Sequence, residues 1–268
     1  MPRIKSDDAE IFYEVLGDGP PILLLHPFPV HHDFWLPAVQ SLLTRYRLIL
    51  PDLRGHGESG LGDGPATMAK HATDIARVMD DAGIGRTAVA GVSIGCYALF
   101  EFQRRFRDRV SALVLCNTKA QADSPEARNA RLKSATEVLE RGTEPFFESM
   151  IPKLLGDTTR NTRPDVVDGA LRMMRKMSAE DVAMVQRGMA ERPDSVATLK
   201  TIGIPTLIVT GEEDILSGAA EAELMRQNIA GSRVKIILKA GHYAAWERPK
   251  EVGELLREFL HSVQASLA

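Results

Sequence analysis

The sequence predicts an α/β protein with a mostly parallel, doubly wound sheet, and three observations predict it. Short continuous apolar runs alternate with longer amphipathic segments in the first half of the chain. The same alternation resumes after about residue 200, and a stretch with helix punctuation but no strand signal separates the two. Ile22 to Leu25, Leu48 to Leu50, Thr87 to Ala90 and Ala112 to Leu115 show almost no polar alternation, as expected of strands covered on both faces. Phe34 to Leu43, Ala66 to Ala82 and Ile94 to Phe106 read as the crossover helices between them. Pro205 to Val209 and Val234 to Leu238 supply two later strands, and helical patterns fill 217–229 and 249–263.

In the intervening stretch, 119–200, Pro125 opens a helical segment, Gly142 closes it, and Ser178-Ala179-Glu180-Asp181 resembles a capping box. The stretch reads as a helical lid inserted into one domain whose core is 1–118 and 201–268. Six of the ten methionines (Met150, Met173, Met174, Met177, Met184 and Met189) fall in it. They either fill a loosely patterned small core or form a pliable apolar roof over a ligand.

The 268 residues, 44% hydrophobic and 26% charged, suit an ordinary globular chain with a sizeable core. A formal charge of -3 with no basic block argues against a nucleic acid partner. Cys96 and Cys116 are too few for a disulfide scaffold and lack C-x-x-C spacing, so they read as reduced, buried thiols. No run approaches the roughly 18 apolar residues needed to span a bilayer, and Asp7 and Asp8 arrive before any apolar run near the N-terminus. The expectation is a cytoplasmic protein without a membrane partner.

The chemistry gathers at the ends of predicted strands. Gly91-Val92-Ser93-Ile94-Gly95 fits G-x-S-x-G, with a strand before it and a helix after it. Such a sharp turn forces the serine into a strained conformation, projects its Oγ from the carboxyl edge of the sheet, and needs glycines on either side. Serine is a weak nucleophile until a base takes its proton. His242, which directly follows the strand near 234–239, hangs over the same edge and suits that role. Asp214 follows the strand near 205–210 and is placed to hold the imidazole in the right tautomer; Glu212 and Glu213 compete for the acid role but read as solvated.

Of the other histidines, His26 reads as a brace for the loop that it opens. His31 and His32 serve either as loop residues or as pocket lining, and His71 and His261 as packing or surface residues. No H-x-H or H-E-x-x-H spacing occurs, so the reading assigns no metal and no cofactor. Acyl transfer also needs donors for an oxyanion. The Ile94 N-H, next to the serine, is one; in His26-Pro27-Phe28-Pro29 the prolines have no N-H, which leaves Phe28 as the other.

Together these residues resemble the α/β-hydrolase superfamily over nearly the whole chain. His26-Pro27-Phe28-Pro29 followed by Trp35 resembles the family's H-G-F-P oxyanion loop, with proline at 27 in place of the usual glycine. Asp52-Leu53-Arg54-Gly55-His56-Gly57-Glu58-Ser59 matches its D-x-R-G-x-G-x-S turn, and Cys96 stands where many members carry a second glycine. The resemblance implies the α/β-hydrolase fold with a lid after the sixth strand. Serine at 93 is unlike the aspartate that haloalkane dehalogenases and epoxide hydrolases need. The compact lid is similar to the branch of 3-oxoadipate enol-lactonases, small carboxylesterases and cofactor-free perhydrolases. What this implies is a metal-free serine carboxylesterase acting on a small ester, as a monomer or homodimer; the alternatives are a lactonase or a hydrolase-shaped ligand receptor. The lid arginines Arg128, Arg131, Arg141, Arg160, Arg163, Arg172 and Arg175 are candidates to pair with a substrate carboxylate, most of them being solvated surface.

Overall fold

The computed structural model describes residues 2–267, with side chains through residue 263. Eight strands form one sheet: β1 (Arg3–Ser6), β2 (Ala9–Leu16), β3 (Pro21–Leu25), β4 (Arg47–Pro51), β5 (Thr87–Val92), β6 (Val110–Cys116), β7 (Thr206–Gly211) and β8 (Arg233–Ile237). Their order is β1-β2-β4-β3-β5-β6-β7-β8; β1 and β2 pair antiparallel with their neighbours and the rest are parallel. The β1–β2 hairpin is absent from the sequence reading. It lies at a sheet edge, where one face is solvated, so its exposed Arg3, Lys5 and Glu10 interrupt the apolar run that marks the central strands. Those central strands are buried on both faces, with Leu23, Val89 and Leu115 wholly inaccessible.

The helices of the core are α1 (Leu36–Val39), α2 (Met68–Asp81) and α3 (Ile94–Phe106). In the segment predicted as a helix over 34–43, α1 is a single turn flanked by 3-10 turns His32–Trp35 and Gln40–Leu42. Pro37 sits at its start, and a proline there supplies no N-H to continue a preceding helix. Thr67 caps α2 by accepting from the Lys70 N-H, setting its start two residues later than the periodicity alone suggests.

Between β6 and β7 the chain forms α4 (Pro125–Arg141), α5 (Glu144–Leu154), α6 (Asp157–Thr162), α7 (Pro164–Met174), α8 (Ala179–Ala190) and α9 (Val196–Leu199). The expected punctuation is present: Ser124 caps α4, Gly142 ends it at φ 80°, and Ser178 and Asp181 form a reciprocal capping box on α8. Helices α4 and α8 pack against each other, as do α5 and α7. After β7 come α10 (Ala219–Asn228), α11 (Ala244–Glu247) and α12 (Pro249–Leu267). One group of core helices (α2, α3, α9, α10) and another (α1, α11, α12) flank the sheet.

The connection from β3 runs to β4 on one side, and the chain then crosses back to β5 on the other side of β3. That reversal opens a crevice at the carboxyl ends of β3 and β5, the place where ligands bind in open α/β sheets. The register pairs Leu25 with Gly91, Val92 with Cys116 and Cys116 with Val209. The loops that follow β3, β5, β6 and β7 therefore leave the sheet side by side.

Candidate active site

Ser93 sits between β5 and α3 at φ 52° and ψ -113°, a conformation costly for any residue with a Cβ. The close approach of backbone around it explains the flanking glycines. A Cβ on Gly95 would lie 2.6 Å from the Leu25 carbonyl oxygen, and one on Gly91 would lie 2.9 Å from the Gly95 carbonyl carbon. The Ser93 N-H donates to the Cys116 carbonyl (3.1 Å) and the Thr118 hydroxyl donates to the Ser93 carbonyl (3.2 Å), which fix the strained residue from both sides. Ile94 opens α3, and N-H groups of a first helical turn have no acceptor within their own helix.

Ser93, Phe28 and His242 line one cavity of about 80 Å³, closed over by Met150, Leu154 and Met189 from the α5 and α8 helices and by Leu216. Each water needs about 10–15 Å³ of such space, so the cavity accommodates a group of a few heavy atoms. The methionine stretch is thus divided: Met150 and Met189 face the cavity, whereas Met173, Met174 and Met177 are buried in the packing of the insertion.

Behind His242 lies Asp214. The imidazole Nδ1 is 3.0 and 3.1 Å from the two carboxylate oxygens, and Asp214 also accepts from Asn117 Nδ2 (2.9 Å), Leu216 N-H (2.8 Å), Ser217 N-H (3.1 Å) and Ser217 Oγ (2.9 Å). Burial alone would raise the carboxyl's pKa. The His242 imidazole and the Asn117 and Leu216 donors outweigh it and hold Asp214 well below the usual carboxylate range. An ionised Asp214 accepts a hydrogen bond from Nδ1-H, which fixes the tautomer in which Nε2 is the acceptor nitrogen.

The loop after β3 is braced by His26. Its buried ring accepts the Leu53 N-H at Nε2 (2.8 Å), so Nδ1 carries the proton and donates to the Pro27 carbonyl (2.8 Å). Burial, and next the neighbouring His56, push its pKa well below the ordinary histidine value and keep the ring neutral. The Phe28 ring packs edge-on to His56, and its carbonyl accepts the buried Tyr243 hydroxyl (2.9 Å). Proline at 27 leaves these contacts in place.

His31 and His32 lie away from the Ser93 cavity. His32 Nδ1 and N-H both reach Asp52 Oδ1 at 2.8 Å, and His31 lines a separate groove with Asp33, Arg172, Lys176 and Trp246. His31, His32 and Asp52 form the one trio among the described residues whose possible metal-ligating atoms lie within 4.8 Å of one another. Asp52 is already engaged there by His32 and by the Glu58 N-H (2.8 Å), an arrangement that secures the turn. His71 is buried within α2, and His261 is exposed on α12. Both cysteines are free and buried.

Glu212 is exposed, but Glu213 is not simply solvated: it accepts the Thr158 N-H (2.8 Å) and the Thr158 hydroxyl, tying α6 to the loop that carries Asp214. The sequence reading also passes over Asn117, Ser217, Tyr243 and Glu247. Buried Glu247 accepts the Gly156 N-H (2.9 Å) and the Gly241 N-H (2.8 Å), fixing the backbone beside His242 to the insertion. Asn117 had an available signal, because it follows the end of β6 just as Ser93, Asp214 and His242 follow β5, β7 and β8. Ser217 also had a local signal, three residues after Asp214 and bonded to it through N-H and Oγ, whereas Tyr243 and Glu247 depend on Phe28 and Gly156, 215 and 91 positions away.

An eight-stranded, mostly parallel sheet with a strained serine at its switch point defines the α/β-hydrolase class. The family model for the alpha/beta hydrolase fold matches residues 20–249, and the chain belongs to that family. It is 37% identical to a thermophilic esterase from Thermogutta terrifontis, solved with malate bound, at a TM-score of 0.94 over 98% of this chain and 99% of that one. An enol-lactonase from Burkholderia xenovorans is 25% identical, with a TM-score of 0.90 over 97% and 100% of the two chains. A putative carbamate hydrolase, RutD, of Azorhizobium caulinodans is 28% identical over 97% of this chain and 98% of its own length. The chain is a hydrolase within the enol-lactonase and esterase part of the superfamily. Among the described residues no helix is long and apolar enough to cross a membrane.

Proposed function

We propose that the protein hydrolyses small carboxylic esters through Ser93, His242 and Asp214, by way of an acyl-enzyme. The observation that carries this reading is the convergence of three distant positions. Ser93 and His242 face one cavity, and the far nitrogen of the His242 ring is held by an ionised Asp214. In this reading His242 Nε2 takes the Ser93 proton as Oγ attacks the substrate carbonyl, and Asp214 stabilises the imidazolium. The backbone N-H groups of Phe28 and Ile94 hold the tetrahedral oxyanion. Collapse expels the alcohol, which receives the proton from His242. A water then enters and gives a proton to the same nitrogen as its oxygen attacks the acyl carbon; the imidazolium returns that proton to Ser93 Oγ as the carboxylic acid leaves. No metal or cofactor takes part in this scheme.

Residues 119–200 act as the lid, since Met150, Leu154 and Met189 cover the cavity from this insertion. Ser93→Ala tests the proposal with a short-chain p-nitrophenyl ester. Its kcat falls below about a thousandth of wild type if Ser93 is the nucleophile, and a larger residual rate refutes that role. Similarity to an enol-lactonase supports a second reading, a dedicated lactonase served by the same residues. A preference of several decades in kcat/KM for lactones over open-chain esters selects it.

A further inference from the structure

We propose that Lys119 makes the Ser93 cavity selective for esters that carry a negatively charged carboxylate. The inference rests on the ester-hydrolase reading of the same cavity and deepens it.

Two cations, Lys119 and Arg131, line a space otherwise walled largely by Phe28, Tyr97, Met150, Leu154, Met189 and Leu216. Lys119 stands three residues beyond the end of β6, directly after Thr118, whose hydroxyl is bonded to the Ser93 carbonyl. Its position is therefore fixed relative to the serine. Arg192 lies behind them, stacked on the Tyr97 ring with its guanidinium carbon 4.3 Å from the ring centre.

The charges here do not balance. The nearest carboxylate, Asp123, receives Arg131 Nε at 2.7 Å and Arg192 Nη1 at 2.7 Å on a single oxygen, Oδ2. Its other oxygen is 3.8 Å from Lys119 Nζ, beyond hydrogen-bond range. Glu221 acts on Lys119 at longer range. Three cations thus face two carboxylates.

The three cations also differ in what their hydrogens do. Arg131 donates to Asp123 and to Gln186 Oε1 (2.9 Å), and Arg192 donates to the Gln121 carbonyl (3.0 Å) and the Met189 carbonyl (3.3 Å) as well as to Asp123. Among the described residues the Lys119 ammonium has no hydrogen-bond acceptor, although three-quarters of its side chain is covered. Burial, and next the repulsion of Arg192, lower its pKa against the pull of Asp123, so an added negative charge relieves the strain on this ammonium. A largely covered cation without an acceptor, at the edge of a small cavity, is matched by a carboxylate on the bound substrate. The neighbouring Arg131 reinforces the positive field.

The test compares near-isosteric esters by pH-stat titration at low salt: monomethyl succinate against methyl 4-methylpentanoate, and O-butyryl glycolate against isobutyl butyrate. The first pair places the carboxylate in the acyl half and the second in the alcohol half. Wild type is expected to favour the charged member of at least one pair by about tenfold or more in kcat/KM, the size of one charge-assisted hydrogen bond. Lys119→Met should lower that charged-to-neutral ratio about tenfold and Lys119→Arg should keep it, with 0.5 M salt narrowing it in wild type. Equal or lower kcat/KM for the charged members of both pairs overturns the inference while leaving the esterase reading intact. So does a Lys119→Met variant that lowers both members of a pair in the same proportion. Failure to hydrolyse any of these esters counts against the esterase reading. In that case calorimetry with Ser93→Ala decides the charge preference separately, monomethyl succinate binding more tightly than uncharged methyl 4-methylpentanoate if the inference holds and no more tightly if it fails.

Discussion

Replacing Asp214 by asparagine perturbs the site by one atom and tests how the imidazole is held. In the native site both carboxylate oxygens lie 3.0–3.1 Å from His242 Nδ1, and four further donors from Asn117, Leu216 and Ser217 converge on them. Asparagine presents one acceptor and one NH2 group. With its oxygen turned to the Leu216 and Ser217 N-H groups, its amide hydrogens face His242, Asn117 and the Ser217 hydroxyl. His242 Nδ1 then accepts and Nε2 carries the proton, the wrong tautomer for a base toward Ser93. The same change in serine hydrolases costs on the order of 10⁴ in kcat, or about 5 kcal/mol of barrier at 1.36 kcal/mol per decade. One buried Asn117 donor also meets a donor, which costs about 1–3 kcal/mol of stability. The assay is steady-state hydrolysis of p-nitrophenyl butyrate, alongside a thermal melt to show that the variant folds. A folded Asp214→Asn protein retaining more than about a tenth of wild-type kcat would refute the reasoning, because tautomer control would then contribute almost nothing.

Acid should find a second weak point at Asp52, whose carboxyl is pulled down to about 2: burial raises it, but the bond and charge of His32 and the Glu58 N-H lower it by more. A depressed carboxyl pKa contributes stability that is present above the unfolded value near 4 and is lost as pH falls toward 2, here about 2 kcal/mol. Urea melts at pH 5 and pH 3 should therefore show a shallower acid loss in Asp52→Asn than in wild type; equal losses would contradict the assignment. Tyr243→Phe removes the hydroxyl that donates to the Phe28 carbonyl at 2.9 Å and leaves that buried acceptor unpaired. The expected cost is about 1–3 kcal/mol, at roughly 2–4 °C of melting temperature per kcal/mol, and a melt unchanged within a degree would show that the contact adds nothing.

The parts of this structure that were legible in the sequence are those written locally. Leu23, Val89 and Leu115 belong to unbroken apolar runs because strands covered on both faces need no polar alternation. Ser93 was legible because its strained turn requires Gly91 and Gly95 at fixed offsets, and Asp214 and His242 because each lies in the loop that leaves a strand of the same sheet. What was not legible is set by contacts across long chain separations. Glu213 reads as a surface residue until α6 brings Thr158 to it, and Tyr243 gains its meaning from Phe28, which lies 215 positions earlier. The β1–β2 hairpin was hidden for another reason: an edge strand with one wet face has a mixed pattern that a short window cannot separate from a loop.

The central claim is that Ser93 becomes covalently acylated by the action of His242. Incubation with diethyl p-nitrophenyl phosphate, followed by peptide mass spectrometry, tests it most directly, since such an ester phosphorylates an activated serine and stays there. The account predicts a single diethylphosphoryl group on the peptide holding Ser93, formed in step with the loss of ester turnover and absent from Ser93→Ala and His242→Ala. An adduct on another residue, or turnover that persists with Ser93 unmodified, would contradict it.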